Sequence, residues 1–534
     1  MCTPAIIGQT TAVNMGYTCN NPTTCQAGNL AAINATAIAP GGTPVSLAFD
    51  ANGSAPVTAR YDDVGQITLN ANTTFTPFTG AAAVTLTGSS NAYIVKPDHF
   101  DLTAIQQTAA PNLVNPAATN AAGAKFVKAG EPFSVTVTAR NFANAATPNF
   151  GKEIVPESVK LTPALVTGLG LTNTPMINGA FGAFTGGVAT GTNFTWNEVG
   201  IITLTPSILS GNYLASAGGA GDTTGTVVSG NVGRFYAGQF ALSLGSITNR
   251  ADLCPDPPAI QPTGCPSAFT YMGEQLNAVF TLTAQAVGGT ALQNYTTANG
   301  FAKLNPAAVG NPLQFGAVNS TATPSYLTAR LDTSLTATGS FASGLANVIA
   351  PLAISRGASA DGPYALLNIG IAPQDSDGAL MAAYDLDTNA VAGNDHTKVA
   401  TTEVRYGRIK LSNAYGSELL PLPIAVTAQY WNGLNYVTNL TDSLSSFAAT
   451  NVVFITYQPN LTAANYPNSG ATSVTPASVA FSKGDASYLL ANPGITGSVD
   501  MKTNAPTYLP SNTARATFGV YKGSDEFIYR RENY

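Results

Sequence analysis

Two stretches of this chain, 143 positions apart, carry one pattern. Lys128-Ala-Gly130-Glu131-Pro132-Phe133-Ser-Val135-Thr-Val137-Thr-Ala139 is answered by Tyr271-Met-Gly273-Glu274-Gln275-Leu276-Asn-Ala-Val279-Phe-Thr-Leu282-Thr-Ala284. Downstream, Asn149-Phe150 is answered by Asn294-Tyr295, and Val159-Lys-Leu161-Thr-Pro163 by Ala302-Lys-Leu304-Asn-Pro306. A second echo, 135 positions apart, links Tyr61-Asp-Asp63-Val64-Gly65-Gln-Ile67-Thr-Leu69 to Trp196-Asn-Glu198-Val199-Gly200-Ile-Ile202-Thr-Leu204. Such a chain folds as successive copies of one unit. The unit is too long for a solenoid coil, which recurs every 20 to 50 residues or so, and this weakens a β-helix reading.

Within the unit, apolar and β-branched residues alternate at period two and are separated by Gly, Pro, Asn and Asp clusters, which predicts half-buried strands joined by turns. Helical periodicity is nearly absent; the small-residue run Ser343 to Ile349 predicts one short helical turn at most. The aromatic–acidic–Gly pattern before an alternating run resembles the late strand of immunoglobulin-like sandwiches. The expected fold is therefore all-β, as tandem immunoglobulin-like β-sandwich modules. Segments beginning Pro97-Asp-His99-Phe100, Gly238-Gln-Phe240 and Gly407-Arg-Ile409 read as opening strands. The modules predicted are 1–97, 98–238, 239–403 and 404–534, the first of them incomplete at its start.

Charge narrows the function classes. Only 9% of the 534 residues are charged, with 22 basic residues and a net charge of −6. That excludes a nucleic-acid surface, which needs clustered Lys and Arg. The most apolar run, Gly344 to Ile354, is interrupted by Asn347 and Pro351 and is about half of the roughly 20 residues a bilayer helix requires, so no membrane span is expected. Met1-Cys2-Thr3-Pro4 lacks the features of a secretory leader, and Met1 is read as internal to a longer product. His99 and His396 are the only histidines, and no nucleophile elbow, phosphate loop or dinucleotide fingerprint appears; the chain is expected not to be an enzyme.

Cys19 and Cys25, and Cys254 and Cys265, each close a short loop rich in turn formers. Such spacing suits disulfides in an oxidising compartment better than zinc. Cys2 is left over. Asp375, Asp377, Asp385 and Asp387 form the densest acidic cluster, a calcium candidate weighed against plain turn residues, since no EF-hand glutamate follows; no other cofactor is implied. Trp431 with Tyr430 and Tyr436 forms an aromatic hairpin that either stacks on sugar rings or fills a sandwich core. The segment Phe518 to Tyr534, with five aromatics and Arg530 and Arg531, reads as a docked closing hairpin.

Several of these motifs occur in a family-specific order. Arg405-Tyr-Gly407-Arg408-Ile-Lys-Leu411-Ser-Asn413-Ala414-Tyr415-Gly416 leads into Leu422-Pro-Ile424 and Ala428-Gln-Tyr430-Trp431, and later Phe518-Gly519-Val-Tyr521-Lys-Gly523-Ser-Asp525. Together they resemble the C-terminal region of MshQ-type proteins, encoded with the mannose-sensitive haemagglutinin (MSHA) type IV pilus. Two departures stand out: Asp442-Ser443 is followed by Leu444 where the family often has cysteine, and no lectin-like N-terminal sandwich is present. The resemblance implies a non-enzymatic protein at the outer surface of a Gram-negative type cell, acting in pilus biogenesis or adhesion. Its expected partners are pilus or cell-surface proteins. Glycan binding and self-association into filaments are the alternatives.

Overall fold

The structure, a computed structural model, describes residues 4, 6–26, 31–215, 224–225, 227–254, 262–386, 396–467 and 477–519. The expectations for Cys2, Asp387 and the segment after 519 lie outside the described residues. The fold is all-β, in many antiparallel sheets, and helix among the described residues is limited to short 3-10 turns such as Thr328–Arg330. The chain divides into two units. The first comprises Met1–Gln239, Ala284–Ala302 and Ala342–Gly344; the second comprises Phe240–Thr283, Lys303–Phe341 and Leu345–Tyr534.

The first unit opens with a sandwich of eight strands: β1 (Thr10–Asn21), β2 (Ala31–Ile33), β3 (Thr36–Ile38), β4 (Thr43–Ala48), β5 (Ala59–Tyr61), β6 (Gly65–Phe75), β7 (Val84–Ser89) and β8 (Tyr93–Val95). One sheet runs β4-β1-β6-β7, with β8 also on β6; the other is the short β3-β2-β5. Val13, Met15, Tyr17, Ile33, Ile38, Val45 and Leu47 fill the space between them. A second sandwich follows. Its sheets are Val188–Phe194, Phe133–Arg140, His99–Gln107 and Val159–Leu165, Gly200–Ile208, Val232–Phe235. They share a core of aromatics, including Phe133, Phe150, Phe194, Trp196 and Phe235.

In the strand Gln275–Gln285, which belongs to the second unit as far as Thr283, every second side chain is buried. It pairs antiparallel with Leu345–Ile354. The helical turn expected over Ser343 to Ile349 is therefore corrected to a strand. Ala346, Val348, Ala350, Leu352 and Ile354 all point inward, and that period of two outweighs the small-residue composition. The last sandwich packs Gly407–Leu411, Leu422–Trp431 and Asp485–Leu490 against Ala414–Gly416, Ala514–Phe518, Gly497–Thr503 and Val452–Gln458. Its core contains Ile424, Val426, Tyr488, Val499, Met501 and Phe518, and also Phe269 and Tyr271 of the strand Phe269–Tyr271, which pairs parallel with Thr397–Arg405.

The 143-residue echo is a turn built twice. Gly130 and Gly273 take φ of 81° and 83°, a left-handed conformation that glycine adopts without cost. The glutamate after each folds back: Glu131 Oε2 accepts the Lys128 N–H, and Glu274 Oε2 accepts the Tyr271 N–H, both at 3.0 Å.

Candidate functional site

Several of the buried polar groups among the described residues lie at joints between sandwiches. In the first unit, Asp63 follows β5 and is 1% exposed. Its Oδ1 accepts the N–H groups of Val64 (2.9 Å) and Asn149 (3.1 Å). Asn149 in turn donates to Val64 O at 3.2 Å and Tyr61 Oη at 3.0 Å. Its Oδ1 accepts the Gln26 N–H at 3.0 Å. A buried carboxylate at the end of one sandwich thus caps a turn of the next, and the Cys19–Cys25 disulfide abuts it, with Cys25 Sγ 3.4 Å from Tyr61 Oη.

The same clasp recurs at the second echo. Glu198 Oε1 accepts the N–H groups of Val199 (2.9 Å) and Asn294 (3.1 Å); Oε2 accepts those of Gln293 and the Asn173 side chain, both at 2.8 Å. Asn294 donates to Val199 O at 3.3 Å, as Asn149 does to Val64 O. Asn294 belongs to the Ala284–Ala302 segment of the first unit. Burial pushes the Glu198 carboxyl above its ordinary range, against the pull of its four donors.

In the second unit the joint is ionic. Arg250 is fully buried. Its Nε donates to Glu274 Oε1 (2.9 Å), Nη1 to Asp442 Oδ1 (2.8 Å) and Nη2 to Ser445 Oγ (2.7 Å). Tyr271 donates its hydroxyl to Asp442 Oδ2 at 2.9 Å and receives the Asn439 amide at 2.6 Å. The Arg250 guanidinium lies 5.3 Å from the Phe269 ring centre, and that of Arg405 lies 4.2 Å from the same ring. Phe269 is thus gripped by two cations. Cys254 N–H donates to Arg250 O at 2.8 Å, so the Cys254–Cys265 disulfide begins one turn after the hub.

The electrostatics are those of a lock. Burial raises the Glu274 carboxyl, with the Arg250 charge opposing. Burial alone would raise Asp442 too, but the Arg250 charge and hydrogen bonds outweigh it and hold Asp442 below its ordinary range. Burial and the Asp442 charge push Tyr271 far up, so its hydroxyl remains a donor. A cleft of about 540 Å³ beside the hub is lined by Asp252, Glu274, Asp332 and Tyr508. Backbone and side-chain donation from Ser334 lowers Asp332, so this cleft carries two carboxyls displaced in opposite directions, a pattern that catalytic sites use. Both oxygens of Glu274 are already engaged, by Arg250 Nε and the Tyr271 N–H.

The other sequence-predicted residues are placed as follows. Both disulfides form, with Cα–Cα distances of 5.8 Å (Cys19–Cys25) and 5.6 Å (Cys254–Cys265). Asp375 folds onto its own turn: its Oδ1 accepts the N–H groups of Asp377 (3.0 Å) and Ala379 (2.9 Å). Asp385 Oδ1 accepts the Lys398 N–H at 2.7 Å. Among the described residues, no three His, Cys, Asp or Glu side chains gather as a metal site. Trp431, Tyr430 and Tyr436 are half-buried. Trp431 meets Tyr436 edge-on at 5.4 Å, and Arg408 stacks 3.6 Å over Tyr436. His99 lies at a joint, its Nδ1 2.9 Å from Asp98. Among the described residues, no helix is long and apolar enough to cross a membrane.

Sequence reasoning passed over Arg250 and gave Asp63, Glu198 and Asp442 no role. A signal existed: in a chain so poor in charge, an acid before Val-Gly in both echoes, and an arginine four residues before a disulfide, are rare expenditures.

The chain matches four family descriptions in order. Residues 1–89 match the first Ig-like domain of DUF6701, a domain of unknown function; 96–201 match its second domain, 198–401 its third and 405–533 its fourth. No curated protein matches the sequence. Among solved structures, the chain is similar to FdeC, an Escherichia coli adhesin. The TM-score is 0.31 at 11% identity, over 74% of this chain and 95% of that one. That is too low a likeness to carry any argument.

Proposed function

The chain belongs to the DUF6701 family, and we propose that it is a non-enzymatic protein of the outer cell surface that withstands tension, associated with an MSHA-like type IV pilus. The observation that carries this reading is the joint itself. Buried carboxylates clasp the loops of the neighbouring sandwich, and each unit has a disulfide next to such a clasp. Disulfides persist where the compartment is oxidising. Buried, fully bonded polar groups favour one fixed arrangement over many loose ones. The pilus association rests on the MshQ-like motifs from Arg405 onward. The test is labelling of intact cells with an antibody to the chain, followed by co-purification with pilins. Labelling only after lysis sinks the surface role; labelling without pilins sinks the pilus association alone.

A second reading, glycan binding, is favoured by one surface of the last sandwich. Tyr415 is 75% exposed beside Asn413, Asp500, Arg515 and Thr517, in a cleft of about 660 Å³. Arg515 holds Asp500 by two hydrogen bonds, at 2.7 and 3.0 Å, setting donors beside acceptors. Tyr415→Ala should abolish a glycan-array signal while leaving thermal unfolding unchanged, and Trp431→Ala should leave that signal intact.

A further inference from the structure

The rim of the first sandwich carries an unprotected edge. A terminal strand presents unpaired N–H and C=O groups, and natural sheets guard such strands with charge, proline or a bulge. The longer terminal strands here are guarded in these ways. Pro44 sits in β4; Lys160 and Pro163 sit in Val159–Leu165; Arg408 and Lys410 sit in Gly407–Leu411. Val452–Gln458 carries no charge but is bulged between Phe454 and Thr456.

β7 has none of these. Its pairing to β6 runs unbroken from Asn70↔Ser89 to Phe75↔Val84, and among the described residues it pairs with β6 alone. All six of its residues are exposed. From Val64 to Val95 the chain contains no Asp, Glu, Lys, Arg or His. The short β3-β2-β5 sheet leaves β7 uncovered, so Val84 and Leu86 are 42% and 44% exposed. Leu86 lines an open apolar cleft of about 250 Å³ with Ile6, Val13, Phe49 and Ala71.

We propose that the free edge of β7 pairs antiparallel with the β7 edge of a second copy of this chain. Two features point to a second copy as the occupant. The strand is self-complementary in pattern, with Val84 and Leu86 on one face and Thr85 and Thr87 on the other. Pairing about a two-fold axis keeps each set on its own face, so both Leu86 side chains reach the apolar side. Two copies of an uncharged strand also bring no like charges face to face. An edge contact of this size lies below the roughly 1,000 Å² of a stable interface. Pairing is therefore weak in dilute solution and favoured where copies are crowded. This inference does not depend on where the protein resides, so it stands or falls apart from the surface reading.

The test is sedimentation velocity of the full chain across micromolar to submillimolar concentrations. The expected result is a monomer–dimer equilibrium. Thr85→Lys with Thr87→Lys, both exposed, should weaken it about tenfold or more by setting like charges opposite one another, without moving thermal unfolding. Thr85→Glu with Thr87→Glu should do the same. Mixing the two variants should restore association, which neither misfolding nor a remote contact would produce. A monomer at every concentration, a dimer indifferent to the lysines, or a mixture that stays monomeric would each overturn the proposal.

Discussion

The Glu198 clasp of the first unit and the Arg250 hub of the second hold comparable joints by opposite electrostatics. Glu198 is met by four N–H donors and, among the described residues, by no cation. Asp442 and Glu274 are met by a guanidinium. A buried carboxylate needs full hydrogen bonding or a counter-charge, and this chain uses both solutions, N–H capping at Asp63 and Glu198 and a counter-charge at Arg250. The two should fail differently. An amide-capped carboxylate can be neutralised and still fill its place, whereas an ionic hub that loses one partner strands a charge away from water.

The largest expected effect follows from that. Arg250→Ala leaves two carboxyls buried without their partner and should cost about 3–5 kcal/mol. In chemical denaturation followed by hydrogen exchange, the second unit should open early while amides around Glu198 keep their protection. Equal loss in both units would break the comparison. Next comes the neighbouring crosslink. Replacing Cys254 and Cys265 by Ala should cost roughly 2–3 kcal/mol through the loop they close, and the loss should shrink in an Arg250→Ala background if the disulfide and the hub hold the same turn. Glu198→Gln should cost less, about 1–2 kcal/mol, because one acceptor remains and one amide donor meets other donors. Denaturation midpoints resolved by unit would rank all three.

The smallest effect is the sharpest in sign. The folded Glu198 carboxyl lies above its usual value of 4.5. Its favourable contribution is therefore complete below that value and is lost as pH rises through the folded one. Asp442 lies below its usual 3.8, so its contribution is present above that value and lost as pH falls through the folded one. Glu274, raised by burial, acts in the second unit with the sign of Glu198. Measuring stability from acid to neutral pH in Glu274→Gln should make the two units respond in opposite directions, by about 1.4 kcal/mol per unit of displacement. Parallel responses would contradict the contrast.

The strands and the repeated turn were legible because period two and a glycine with positive φ leave local marks, as at Gly130 and Gly273. The joints were half legible. Asp63, Glu198, Asn149 and Asn294 stand in the repeated motifs, but their bonds close across 86 and 96 positions, which no local pattern encodes. Arg250 was illegible for the same reason, since Asp442 lies 192 positions away. Ser343 to Ile349 misled because Ala and Gly mark periodicity faintly. Trp431 fitted neither alternative cleanly. Its cross-strand neighbour Tyr436 covers it only edge-on, which leaves it half-buried.

The Cys254–Cys265 bridge has a consequence for a stretched molecule. The bonded cysteines are 11 positions apart in sequence, with their Cα atoms 5.6 Å apart. At about 3.3–3.6 Å per extended residue, the bridge withholds roughly 30 Å of contour length that pulling would otherwise draw out. That slack would appear in single-molecule traces only after reduction, so the redox state of the surroundings sets how far the polymer can lengthen before it tears free.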